Sequence, residues 1–176
     1  MSSFVQDYHN QLSVNCILKC LTSLELRALR SSNLHCLAKG KLPCVAITLG
    51  TATTFTALDQ SGALVGSAIT AGVQLSLLAL REQAAQLPAV AIDAKDEGIL
   101  ARNTVDAMRV GAVYGAASLV DGMVERFAEA LGETPYVVLT GELAPLVTPY
   151  LRIPFEYDES LVLDGLHLIW KKNRGN

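Results

Sequence analysis

Three strand-like runs follow one another between Pro43 and Ile69, with room between them only for tight turns. Val45 to Leu49 is apolar enough for a buried strand, Thr53 to Leu58 reads as its hairpin partner, and Ala63 to Ile69 follows the Ser61-Gly62 turn. The first turn carries Gly50 and then small or hydroxylated residues, GTATT. Backbone N–H groups in such a turn, helped by threonine hydroxyls, cradle an anion without a basic residue. The same residues also make an ordinary hairpin.

Helical patterns follow. Val73 to Gln86 places Val73, Leu77, Leu80 and Ala84 on one face before Pro88, and residues 89–101, with Asp93, Asp96 and Glu97, read as a loop. The longest element spans residues 103–132, where Val105, Met108, Ala112, Ala116, Leu119, Met123, Phe127 and Leu131 recur at helical steps. Asn103 or Thr104 caps it and Gly132 ends it. A second stripe on this helix, Gly111, Gly115, Ser118 and Gly122, is made only of small residues. Interior glycines cost about 1 kcal/mol each against alanine, so the stripe implies close approach of another backbone, from this chain or from a second subunit. Tyr136 to Thr140 reads as a strand leading to Gly141, and Leu143 to Val147 as a short helix or turn. Ile153 to Tyr157 reads as an edge strand, and Ser160 to Lys172 as a closing helix with Leu163, Leu166, Ile169 and Trp170 inward. Residues 1–42 hold helical spacings (Phe4, Tyr8, Leu12; Leu18, Leu21, Leu24) and a positive charge balance.

The 176 residues are 51% hydrophobic with a net charge of −3, enough chain for one α/β domain with a real core. That balance leaves no basic footprint for nucleic acid. No apolar run reaches the ~20 residues of a membrane span, and MSSFVQDYHNQLSVNC lacks the pattern of a secretory signal. Cys16, Cys20, Cys36 and Cys44 show neither a Cys-x-x-Cys pair nor accompanying histidines, so they read as reduced cytosolic thiols rather than zinc ligands. His9, His35 and His167 are scattered and read as surface or packing residues.

Two further segments carry candidate chemistry. In VVLTGELAP, residues 137–145, a strand ends in Thr-Gly before a turn towards helix, and a glycine there lets a nucleotide approach the backbone. In ARNTVDAMRVG, Arg102, Asn103 and Thr104 cluster at the start of the long helix, where they serve as a cap, a ligand contact, or both. No Gly-x-x-x-x-Gly-Lys-[Ser/Thr] occurs, which excludes a P-loop NTPase.

Taken in order, LGTATTFTALDQSGALVGSAITAGVQLSLLALREQAAQLP, ARNTVDAMRVGAVYG, VVLTGELAP and LVLDGLHLIWKKN resemble the second half of type III pantothenate kinase. The resemblance runs from Pro43 to Asn173. It implies an α/β fold, a ribonuclease-H-like domain of the actin-like (sugar kinase and heat-shock ATPase) superfamily, with the second domain largely complete and the first mostly missing. Residues 43–176 are then the C-terminal domain, and residues 1–42 a divergent helical segment. The resemblance also implies ATP-dependent phosphorylation of pantothenate, the first step towards coenzyme A. The family acts as a cytoplasmic homodimer that uses ATP with Mg²⁺ and a monovalent cation, K⁺ or NH₄⁺. By position, Gly50, Thr51 and Thr53 fall in the phosphate-contact motif, and Gly141 matches the first glycine of an adenosine-side Thr-Gly-Gly. Thr104 matches the threonine that touches pantothenate, with Asn103 beside it and Arg27 as a further substrate contact, while helix 103–132 matches the dimer helix.

The departures from the family pattern concern acids. Thr48 stands where the resemblance places the aspartate that ligates the monovalent cation. Leu26, between Glu25 and Arg27, stands at the place of the general base, and such a base is worth about 10²–10⁴-fold in rate. Nothing in residues 1–42 matches the family's Asp-x-Gly-Asn-Thr phosphate loop. Ser67, Ala71 and Glu142 replace a glycine, a proline and the second glycine of Thr-Gly-Gly. Phosphoryl transfer rests on positioning and electrostatics, so these losses argue against activity of this chain alone. They leave open a non-catalytic module that binds or regulates, or a gene fragment.

Overall fold

A computed structural model describes residues 39–92 and 98–174. The segment expected to be helical, with Glu25, Leu26 and Arg27, lies outside the described residues up to position 38, as does the acidic stretch 93–97.

The three runs after Pro43 form β1 (Cys44–Leu49), β2 (Ala52–Leu58) and β3 (Leu64–Ala71), joined as antiparallel hairpins. The second turn is held by Asp59, whose carboxylate accepts from the Ser61 and Ala63 N–H groups and the Ser61 hydroxyl. Gly62 takes the left-handed conformation there, at φ 76°. Helices α1 (Val73–Gln83) and α2 (Thr104–Leu131) lead to β4 (Tyr136–Thr140), which pairs parallel with β1. The short α3 (Ala144–Val147) and one 3₁₀ turn lead to β5 (Glu156–Tyr157), parallel to β4, and α4 (Leu161–Arg174) closes the chain. The sheet order is β3-β2-β1-β4-β5. With β2 antiparallel to its neighbours and a helical connection before each of β4 and β5, this is the ribonuclease-H-like α/β arrangement.

Strand alternation gives the sheet two apolar faces. Val45, Ile47, Leu49, Phe55, Val137 and Leu139 pack against α2 and α3, forming the larger core. Cys44, Ala46, Leu58 and Val138 face the other way and meet Leu161 at the start of α4. At the amino ends of β1 and β4, Glu156 gathers three donors. Lys39 Nζ and Lys41 Nζ donate to its two carboxylate oxygens at 2.6 and 2.9 Å, and the Tyr136 hydroxyl donates as well. The Lys41 ammonium also lies 4.2 Å from the centre of the Tyr136 ring. These contacts tie the entry to β1 onto the edge strand.

Two helices sit differently from their periodicity. The buried row of α2 is Met108, Val113, Ala117, Val120 and Val124, one position round from the expected stripe, and Leu119 is exposed. Apolar residues occupy two adjacent rows of this helix, and the β-branched valines, which fit a pleated sheet surface, take the interior. On α4 the expected inward residues Leu163, Leu166 and Trp170 are exposed, because the helix is anchored by Leu161 and Gly165 instead. Ile169, the fourth of that set, has its side chain outside the described residues. On α1, Val73 and Leu77 are buried as expected but Leu80 is exposed.

Candidate functional site

β1 and β4 lie side by side and parallel, and the chain leaves them in opposite directions, β1 into β2 and β4 towards β5. The crevice outside the carboxyl ends of such a strand pair is where an open α/β sheet receives a ligand. Gly50, Thr51 and Gly141 stand there. The Gly50 N–H donates to the Ala52 carbonyl at 3.2 Å and closes the turn. From one side Gly72 donates its N–H to the Thr51 carbonyl at 3.0 Å, and a Cβ on Gly72 would lie 2.1 Å from the Gly50 carbonyl oxygen. From another, Gly141 (φ +112°) approaches so closely that a Cβ would lie 2.2 Å from the Leu49 carbonyl oxygen, which also accepts from the Leu143 N–H at 3.1 Å. The turn is gripped between two glycines at distances no side chain tolerates.

Strand register sorts the threonines. Thr48 pairs with Thr54 on β2 and with Thr140 on β4, so three hydroxyls form a row at the carboxyl end of β1, on the face that α4 flanks. Thr51 is exposed at the tip of the turn. Thr53, expected beside it at the phosphates, pairs with Leu49 and is buried on the opposite, α2 face. The strand therefore separates Thr53 from the threonine row, while Thr54, which motif reading passes over, joins it. Hairpin register was the signal available in the sequence: a three-residue turn, Gly50-Thr51-Ala52, centred on Thr51 sets Thr48 against Thr54.

Of the expected substrate contacts, Thr104 lies in a second feature, an apolar groove of about 340 Å³ between α1 and the first turns of α2. Ser76, Leu80, Thr104, Met108 and Gly111 line it. Thr104 is the first residue of α2 and is exposed. Asn103 caps the helix: its Oδ1 accepts from the Asp106 N–H at 3.0 Å, and its amide donates to the Asp106 carboxylate. The cap reading of Asn103 is thus realised, at the helix end next to Thr104. Groove and cradle share Gly72, since the Ser76 hydroxyl donates to the Gly72 carbonyl at 3.0 Å while the Gly72 N–H holds Thr51. Gly72 is the cradle residue the motif reading missed; a glycine between a strand and a helix start was its only trace.

Chemically, the cradle offers backbone and hydroxyl groups to an anion, and the space its glycines leave would be filled by any Cβ. It does not fit a cation equally. Thr48 is a neutral hydroxyl, and within residues 48–54, 70–73 and 140–144 the only charged side chain is Glu142. Among the described residues no group of three or more His, Cys, Asp or Glu is placed to hold a metal ion, and no helix is long and apolar enough to cross a membrane.

Comparison with known proteins bears on this site. The family model for type III pantothenate kinase matches residues 29–126, more than half of the chain, beginning upstream of Pro43. A type III pantothenate kinase of Pelobacter propionicus is 43% identical over 136 residues, covering 77% of this chain and 53% of its own length. That of Desulforapulum autotrophicum is 40% identical over 129 residues, covering 73% and 49%. Among solved structures, a protein described as a Baf family transcriptional activator from Campylobacter jejuni superposes with a TM-score of 0.55 at 17% identity, covering 89% of this chain and 68% of its own, a likeness of fold. The chain spans about half the length of the curated relatives it matches. With the family model matching over the Gly50-Thr51 turn, Gly72 and most of the groove helix, the chain belongs to the type III pantothenate kinase family.

Proposed function

We propose that this chain is the nucleotide-holding half of a pantothenate kinase, binding ATP with Mg²⁺ and pantothenate but not turning over alone. The observation that carries the reading is the shared glycine: Gly72 touches both the Gly50-Thr51 cradle and, through Ser76, the groove lined by Thr104. The Thr51 N–H and hydroxyl bind the phosphates, with Gly50 shaping the turn, and Gly141 lets the nucleotide approach the backbone. Thr104 contacts pantothenate in the groove, with Asn103 fixing the helix end. ATP, when bound, supplies the phosphoryl group.

Moving the proton from the pantothenate hydroxyl requires a base, and Leu26 offers none. Thr48 likewise leaves K⁺ or NH₄⁺ without an acidic ligand, and hard cations bind through charged oxygens. The test pairs binding with turnover in the cytoplasm-like conditions of Mg²⁺ and high potassium. Calorimetry should register ATP–Mg²⁺ and pantothenate, while a coupled ADP assay stays at background. Product above background would overturn the inactive reading and point to Glu25 as the base; no binding of either ligand would overturn the site.

A second reading, a homodimer or a regulatory pairing with a full-length kinase subunit, is favoured by the small-residue stripe of α2. Gly111, Gly115 and Ser118 are exposed, and a Cβ on Gly111 or Gly115 meets nothing within 4 Å. With no intramolecular backbone against it among the described residues, the stripe is open to a second subunit. Sedimentation of the chain and of Gly115→Leu tests it: a dimer that the leucine dissociates supports the reading, and a parent chain sedimenting as a monomer refutes the homodimer.

A further inference from the structure

We propose that Glu142 is a specificity-determining residue that sets the cradle against high negative charge, so that the site favours nucleosides over metal-free triphosphates. The inference rests on the nucleotide reading of the cradle given above. Glu142 lies between two residues that both meet the same atom: Gly141 is packed on the Leu49 carbonyl oxygen, and Leu143 donates its N–H to it. Its Cα is therefore one peptide step, about 3.8 Å, from the glycine that grips the turn.

Three observations make its charge count. Glu142 is exposed, and among the described residues no hydrogen bond or ion pair engages its carboxylate. It is the only charged residue in the segments that build the cradle. Four of the described basic side chains are committed elsewhere. Lys39 and Lys41 hold Glu156 at the opposite end of the sheet, Arg109 binds Asp106 and the Ala91 carbonyl, and Arg126 donates to the Gly122 carbonyl. An anion entering here meets backbone dipoles that attract it and one full charge that repels it.

For a carboxylate within about one Debye length at 0.1 M salt (about 10 Å) of the phosphates, the repulsion of a tetravalent anion lowers its affinity roughly threefold at 0.1 M salt and nearly tenfold at about 0.01 M. An uncharged nucleoside is unaffected. The experiment titrates metal-free ATP and adenosine into the full chain and into Glu142→Gln, at low and moderate salt, with circular dichroism to confirm equal folding. The expected result is an ATP affinity that rises about tenfold in the variant at 0.01 M salt, a gain that shrinks as salt is added, and an unchanged adenosine affinity. ATP binding that is equal in the two forms, or a change shared by adenosine, overturns the role of Glu142 while leaving the nucleotide site standing. Failure of both ligands to bind either form overturns the site and this inference together.

Discussion

Adding a methyl group at Gly141 makes two demands on the chain at once. The backbone there has φ +112°, a region that L side chains rarely enter, and an alanine held in a positive-φ conformation costs about 1–2 kcal/mol. The new Cβ would also lie 2.2, 2.7 and 2.8 Å from the carbonyl oxygen, carbonyl carbon and nitrogen of Leu49. All three are backbone atoms of a buried strand, so no rotamer change relieves the overlap, and separating β1 from the end of β4 costs about 1–3 kcal/mol, as overpacking does. Gly141→Ala should therefore destabilise the domain by about 2–5 kcal/mol, a large fraction of the 5–15 kcal/mol typical of a folded domain. In urea denaturation followed by circular dichroism, with a slope of about 2 kcal/mol/M, the midpoint should fall by about 1–2.5 M. Gly111→Ala is the internal control. It lies in a helix interior where a Cβ meets nothing within 4 Å, so the same chemical change should stabilise the monomer by about 0.5–1 kcal/mol. A Gly141→Ala midpoint indistinguishable from the parent's would refute the account of the clasped turn.

Three further outcomes follow from the packing. Val120→Ala, at a fully buried position of α2, should cost about 2 kcal/mol in the same urea assay, whereas Leu119→Ala on the exposed row should stay within about 0.5 kcal/mol; the reverse order would restore the stripe expected from periodicity. Among the described residues the buried Thr56 hydroxyl has no hydrogen-bond partner, so Thr56→Val should raise stability by about 1 kcal/mol, and a loss would show that the hydroxyl is paired. Lys39, Tyr136 and Lys41 hold the Glu156 carboxyl at about 2, below its usual 4.5. A depressed carboxylate contributes stability above its unfolded value and loses it as pH falls through the folded one. With the side chain 35% exposed, solvent screening limits the contribution to about 1 kcal/mol. Glu156→Gln should thus melt about 2–4 °C below the parent at pH 7, and the gap should close between pH 4.5 and 2. A gap that persists at pH 2 would assign the effect to packing.

What the sequence made legible was local. The hairpins around Gly50 and Gly62, the cap at Asn103, the end of α2 at Gly132 and the strand into Gly141 all depend on neighbours within a few residues, and each is found where the pattern puts it. What escaped depends on which face meets which. Thr53 and Thr54 look equivalent as two threonines in a motif, yet the period-2 alternation sends one into the core with Leu49 and Phe55 and the other into the row with Thr48. On α2 both Ala112 and Val113 begin apolar rows, and only the sheet beneath decides between them. Gly72 shows the same limit most sharply, because its role is set by a backbone contact to Gly50 that no spacing reveals.

The cradle and the lost acids rest on different physics, and this accounts for their separation in one chain. Leu49, Gly50 and Thr51 are held by Gly72, Gly141 and Leu143 through backbone contacts that the domain needs in order to close β1 against β4. An acid at position 48 would add nothing to that closure. Thr48 sits half-buried between Thr54 and Thr140, where an unpaired carboxylate would bear a desolvation cost that only a bound cation offsets. Without a bound cation, folding alone keeps the glycines and favours a neutral residue at position 48. The glycines thus report on the fold, and nucleotide binding is reported by charge. That is why Gly141→Ala is read by urea and Glu142→Gln by ligand titration: the first should move stability at any salt, and the second should move only the affinity of a charged ligand, most strongly when salt is low.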